Sequence, residues 1–121
     1  MYKKLEIWQE SIKLIKEIYY YADLLPKSEE FNLKLQLKRA IVSVTLNISE
    51  GKCKSTAREF AHFLNISSAS LSEAETIMYI CLELGYFKNT NIDKTLNEIK
   101  ILNKRINSLR NKQIKEYKND K

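Results

Sequence analysis

Apolar residues recur along this chain at spacings of three and four, the period at which one face of an α-helix comes back to the same side. The runs are interrupted at few places. Pro26 follows a first run over residues 4–24, Gly51 closes a second that begins near residue 30, Gly85 closes a third that begins near residue 57, and a fourth continues to the C-terminus. Thr56 with Glu59, and Thr90 with Asp93, have the spacing of a capping box, in which the acidic side chain reaches back to the cap amide. Three breaks predict four helices and an all-α chain.

The helices differ in how much of their circumference is apolar. The fourth has one stripe, Ile92, Leu96, Ile99, Leu102, Ile106 and Leu109, as a helix does when it packs on one side and faces water on the other. The first has two: Leu5, Trp8, Ile12, Ile15, Tyr19 and Ala22, and then Ile7, Leu14, Ile18, Tyr21 and Leu25. The second pairs Leu33, Leu37, Ala40, Ile41, Val44 and Ile48 with Leu35, Val42 and Leu46; the third pairs a stripe from Phe60 to Leu82 with Ile66, Ala69, Ile77, Ile80 and Leu84. A monomer of this size would leave part of these second faces in water as an apolar patch, so the pattern predicts oligomerisation. The competing reading is that neighbouring helices of one bundle cover both faces.

Composition agrees with a single helical domain. The chain has 121 residues with two Gly and one Pro, too few turn formers for an all-β fold and too short for two cores. Residues 1–8 are charged from the start and no apolar run has the length of a membrane span, so a cytoplasmic protein is expected, with Cys53 and Cys81 as reduced thiols. The net charge of +6 is unevenly spread: residues 1–99 hold 13 Lys/Arg against 13 Asp/Glu, and residues 100–121 hold 8 against 2. The expected partition is a bundle over residues 1–110 and a basic tail over 111–121. Such a block attracts polyanions or merely solubilises, and charge alone does not choose.

Polar residues occupy two unusual places. Gln36, Arg39, Ser43, Asn47 and Glu50 form a polar line between the apolar stripes of the second helix, and Glu59, His62 and Glu73 interrupt the second face of the third. Charges so placed require partners, and a network of Arg39, Ser43 and Asn47 with Glu50, Glu59 or Glu73 is expected, within or between subunits. A metal site is not expected: bundle di-metal centres need two Glu-x-x-His pairs, and the single histidine allows only Glu59 with His62. No phosphate loop, Cys-x-x-Cys or Gly-x-Ser-x-Gly occurs, and neither thiol has a histidine at an activating spacing, so neither an enzyme nor a cofactor is expected. Lys52, Lys54 and Arg58 cluster beside the start of the third helix, where free amides favour an anion, although a solvated basic turn would look the same.

Several segments taken together resemble a known family. Lys4-Leu5-Glu6-Ile7-Trp8-Gln9, Gln36-Leu37-Lys38-Arg39-Ala40 through Asn47-Ile48-Ser49-Glu50-Gly51, Glu59-Phe60 with Phe63-Leu64, Ser70-Leu71-Ser72-Glu73 and Leu82-Glu83-Leu84-Gly85-Tyr86 are similar to the bacterial four-helix bundle proteins encoded in intervening sequences of 23S rRNA genes. The resemblance runs from Tyr2 to about Leu109. It implies an antiparallel up-and-down four-helix bundle, assembly as a ring-shaped homopentamer, and no known catalytic residues. Relatives in this fold group serve diversity-generating retroelements, where a basic pentamer binds the reverse transcriptase and nucleic acid.

Two functions are therefore expected to compete. In the first, a non-enzymatic homo-oligomer binds RNA or DNA through Lys52, Lys54 and Arg58 together with Lys100, Lys104, Arg105, Arg110, Lys112 and Lys115. In the second, the apolar second faces dock a protein partner such as a polymerase or reverse transcriptase, without direct nucleic-acid contact.

Overall fold

Four helices form, and the three expected breakers act by different physical means. A computed structural model describes residues 2–119, with side chains from Glu6 to Asn119, and contains α1 (Tyr2–Ala22), α2 (Leu33–Lys52), α3 (Ala57–Glu83) and α4 (Asp93–Asn119). The side chains of Lys4 and Leu5, and residues Asp120 and Lys121, lie outside the described residues. Among the described residues there is no strand.

Gly85 ends α3 through its backbone. It has a φ of +82°, its amide bonds the Leu82 carbonyl, and the Tyr86 amide bonds that of Cys81, the paired closure of a Schellman motif. Gly51 works differently from the expected helix stop: it lies inside α2 with no positive φ, and its hydrogen atom faces the Phe60 ring. Thr56 caps α3 as expected, its hydroxyl accepting the Glu59 amide at 3.1 Å, but the Glu59 carboxylate accepts from that same hydroxyl at 3.0 Å rather than from the cap amide. The second expected box is replaced. Asn91, one residue beyond Thr90, takes the Asp93 amide at 2.9 Å, because an Asx side chain reaches an amide two residues ahead with less strain.

α2 starts at Leu33 rather than near residue 30. Pro26 opens a 3-10 turn over Lys27–Glu29, and Glu29 then serves both connections at that end of the molecule. One carboxylate oxygen accepts from Asn32 and the Leu33 amide at 3.0 and 3.4 Å; the other accepts from the Tyr86 hydroxyl at 2.7 Å.

Cross-helix hydrogen bonds fix the topology. Residues 8 and 11 of α1 meet 49 and 45 of α2, through Trp8 Nε1 to Ser49 Oγ and Thr45 Oγ1 to Ser11 Oγ, both 2.7 Å. Ser67 Oγ donates to the Val44 carbonyl at 2.9 Å, and Ser70 Oγ lies 3.0 Å from Ser43 Oγ. Asn65 and Ser68 of α3 meet Arg110 and Asn103 of α4 at 2.7 and 2.6 Å. Glu10 and Glu17 of α1 meet Arg105 and Thr95 of α4. In every pair one number rises as the other falls, so each neighbouring pair is antiparallel. α4 closes back on α1, and among the described residues backbone contacts between helices join only adjacent members of this ring of four.

The core forms on one stripe from each helix. It includes Ile7, Leu14 and Ile18; Leu37, Ile41, Val44 and Ile48; Leu64, Leu71 and Met78; and Ile99, Leu102 and Ile106. α4 buries the single predicted stripe. In α1 the second predicted stripe points inward, whereas Trp8, Ile15 and Tyr19 of the first are half-buried against the core's edge. The 111–119 segment, expected as a tail, is the last part of α4, and Gln113 on it is buried.

Two consequences are testable. A Cβ on Gly51 would stand 2.7 Å from Phe60 Cδ1 and 3.1 Å from Phe63 Cβ. Alanine favours a helix by about 1 kcal/mol over glycine, but overpacking a ring that is 3% exposed costs roughly 1–3 kcal/mol. Gly51→Ala is therefore expected to lose about 1 kcal/mol net, read as a lower urea midpoint at unchanged slope. The second concerns Glu29. The Tyr86 hydroxyl holds its carboxyl below the usual range against a partial burial that raises it, with the Leu33 amide and Asn32 assisting. Stability from a depressed carboxyl is full above the ordinary value of 4.5 and fades as pH falls through the lower folded-state value. Tyr86→Phe should thus be less stable than the parent at about pH 7, with the gap closing in acid. An equal gap at both extremes would show that the contact does not depend on the carboxylate.

A candidate nucleic-acid interface at one end of the bundle

Antiparallel pairing decides which charges meet. The end of α2, the start of α3 and the end of α4 lie at the same pole, so Lys52, Lys54 and Arg58 share that end of the molecule with Arg110, Lys112 and Lys115, which are distant in sequence, and Arg58 and Arg110 line one groove there. Within residues 43–69 and 106–119 the Lys/Arg are Lys52, Lys54, Arg58, Arg110, Lys112, Lys115 and Lys118, against Glu50, Glu59 and Glu116.

These cations are not equivalent. Lys54 is 3.5 Å from Glu50 and sits over the Phe63 ring at 5.3 Å, which ties it to the protein. Lys52 and Lys115 are exposed. Arg58 and Arg110 line one open groove between α3 and α4, of about 270 Å³, with His62, Asn65, Ile114 and Tyr117. Arg110 donates to Asn65 Oδ1 at 2.7 Å, and neither arginine has a carboxylate within salt-bridge distance among the described residues. On the other flank of α4, Lys104, Arg105 and Lys112 rim a second groove of about 350 Å³ whose floor includes Ile7 and Leu109 and whose edge carries Glu6. Arg105 is paired there with Glu10. Lys100 lies nearer the middle of α4, 5.8 Å above the Tyr79 ring, and does not join the pole.

The expected anion position at the α3 terminus is already supplied with negative charge. Glu59 occupies the first turn, and Thr56 takes its amide. The groove between Arg58 and Arg110 offers better chemistry, since guanidinium groups recognise phosphate by planar, paired hydrogen bonds. Its walls add apolar and aromatic surface.

The predicted polar network divides. Ser43 and Asn47 are joined, Asn47 Nδ2 donating to the Ser43 carbonyl at 2.8 Å and to its hydroxyl at 3.0 Å, and Ser70 completes the group from α3. Glu50 turns to Lys54 and Glu59 to Thr56. Arg39 and Glu73 are exposed; Arg39 borders a shallow depression with Tyr19, Leu35, Val42 and Leu46. A second polar seam, unforeseen from the sequence, runs between α3 and α4: Ser68 and Ser72 bond Asn103, Asn107 bonds Asn103, and Asn65 bonds Arg110. Its sequence signal is the spacing of Asn103, Asn107 and Arg110 beside the α4 stripe.

The remaining chemistry is limited. Burial, with a smaller push from the Glu29 charge, raises the Cys81 thiol to about 11, so it stays protonated at neutral pH and is a poor nucleophile. His62 packs edge-on to Phe63 at 5.4 Å, and among the described residues no three His, Cys, Asp or Glu side chains converge as metal ligands. No helix among them is long and apolar enough to cross a membrane.

The comparisons with known proteins agree with the architecture. A crystal structure of a protein of unknown function from the S23 ribosomal protein family of Bacteroides thetaiotaomicron VPI-5482 superposes with a TM-score of 0.80 at 22% identity, covering 90% of this chain and 98% of that one. At that identity the likeness concerns the fold. No curated protein matches the chain. The family model described as 23S rRNA-intervening sequence protein matches residues 3–108, nearly the whole bundle, and the chain belongs to that family.

Proposed function

We propose that this protein is a non-enzymatic scaffold that binds RNA or DNA, and that it does so as a ring of five copies. The observation that carries the nucleic-acid reading is the convergence at one pole of two basic clusters separated by some fifty residues of sequence, with Arg58 and Arg110 left without carboxylate partners among the described residues. Unpaired cations on a helical surface are stabilised by phosphates and the counterions they release. Assembly is supported by apolar side chains that the bundle does not cover. Leu46 is 62% exposed and Leu35 37% on α2, and Ile80 and Leu84 stand out from α3 at 41% and 54%. The number five is what the family resemblance implies. The same surfaces also favour a second reading, an adaptor whose α2 and α3 faces hold a different protein.

Two measurements separate these readings. Affinity for an oligonucleotide is expected to fall linearly on a log-log plot against salt, with a slope near −2 if about three phosphates of a single strand are engaged. The double substitution Lys112→Glu, Lys115→Glu should weaken binding at least tenfold, and salt-independent binding would remove the electrostatic reading. For assembly, light scattering is expected to give a mass of five times 14.3 kDa. Leu46→Glu should yield monomers with unchanged helix content, because Leu46 contributes little to the core of its own bundle. A parent protein that is already monomeric leaves those faces to another partner.

A further inference from the structure

The groove between α3 and α4 has more specific chemistry than a basic patch requires. Arg58 rises from the first turn of α3, and Arg110 faces it from α4, with Asn65 holding one edge of the Arg110 guanidinium at 2.7 Å. That guanidinium is incompletely satisfied: its Nε is buried and has no hydrogen-bond partner among the described residues. The groups that bond its Nη atoms, Asn65 and, at 3.4 Å, Asn111, are neutral amides, so its charge remains open to an anion in the groove. Beside the two cations the wall becomes apolar and aromatic, with Ile114 and the half-buried Tyr117 on α4 and the exposed His62 ring on α3. The volume of about 270 Å³ lies just below the usual range for ligand pockets, roughly 300 Å³ and upward, the scale of one nucleotide.

We infer that this groove is a single-nucleotide subsite in which Arg58 and Arg110 clamp one phosphodiester of a single strand while an unstacked base lies against Tyr117. The assignment rests on the nucleic-acid reading above and sharpens it. Arg110, held by Asn65, and the exposed Arg58 opposite it together match the paired oxygens of a phosphodiester. An aromatic wall next to them is the surface on which single-stranded bases stack, and a base within a duplex cannot reach it. Asn65 is a positioning residue, since it holds Arg110 and leaves the ligand to the guanidinium. The base face is sequence-tolerant, because stacking on a phenol ring uses the π surface that every base has.

Fluorescence anisotropy with an unstructured RNA oligonucleotide, its DNA counterpart and the corresponding duplexes tests the assignment, using the full chain at several salt concentrations. The parent protein is expected to bind either single strand at least tenfold more tightly than the duplex. Tyr117→Leu should lose roughly five- to a hundredfold in single-strand affinity, the range for one stacked base, with the duplex affinity and the salt slope unchanged. Arg58→Ala, at an exposed position that leaves the core intact, should lower the single-strand salt slope by about 0.7, the value for one phosphate contact. If both variants bind single strands as the parent does while salt-dependent binding persists, the subsite is wrong and the broader reading stands. If the parent binds no nucleic acid at low salt, both fall.

Discussion

The close approach of α2 and α3 is the constraint on which the rest of this molecule depends. It is made possible by residues with little or no side chain at the contact: Gly51 under Phe60, Ser43 against Ser70, and Ser67 donating to the Val44 carbonyl at 2.9 Å. Where a larger side chain would hold the backbones apart, these let Phe60, Leu64 and Leu71 reach Val44 and Ile48 in one core cluster. They also place the α2 end directly beside the α3 start. The positions of Lys52, Lys54 and Arg58 at that pole follow from this contact.

Polar contacts then select the register that the apolar stripes allow but do not specify alone. Aliphatic side chains tolerate a shift of one helical turn better than a hydroxyl does, because a buried hydroxyl without its partner loses its hydrogen bond and its hydration together. Thr45 with Ser11 and Ser68 with Asn103 each act as such a pin, on different faces of the bundle. At the opposite pole Glu29 links the α1–α2 connection to the Tyr86 hydroxyl of the α3–α4 connection. The two ends of the molecule thus have different characters. One is closed by a carboxylate that joins its loops, and the other presents cations, among them Arg58 and Arg110, that the described protein does not neutralise.

The division of labour among the cations follows from geometry. Arg105 and Lys94 find carboxylates on α1, and Lys38 finds Asp23 just beyond the end of α1, so these cations are spent on contacts between elements. Arg58 and Arg110 face a groove in which Arg110 is held at 2.7 Å by an amide, Asn65, which orients a guanidinium without cancelling its charge. That distinction is invisible in a count of Lys and Arg, and it is what turns a general positive charge into a place where a phosphate can be held.

Helix number, the α4 stripe, the Thr56 cap and the Gly85 stop were all legible in the residues, because each is local: a period, a spacing, or a backbone angle that glycine alone adopts easily. The doubled apolar faces were legible as well, but not which of them would point inward. In α1 the inner stripe is the one with Ser11 in its midst, and a buried serine becomes sensible only when Thr45 arrives from another helix. The Thr90 box failed for the same reason of competition, since Asn91 beside it reaches the Asp93 amide. For the candidate site, residue types were readable and their grouping was not. The nine cations named from sequence separate into Lys52 and Lys54 where α2 ends, five that line two grooves, the exposed Lys115 and the isolated Lys100, while Asn65 and Tyr117 carried no sequence signal of their own. The sequence by itself determined four amphipathic helices and where they break, because those properties depend on neighbours within a few residues. Only the tertiary structure decided that Arg58 and Arg110 share a groove, because that depends on antiparallel packing bringing together positions that the chain keeps far apart.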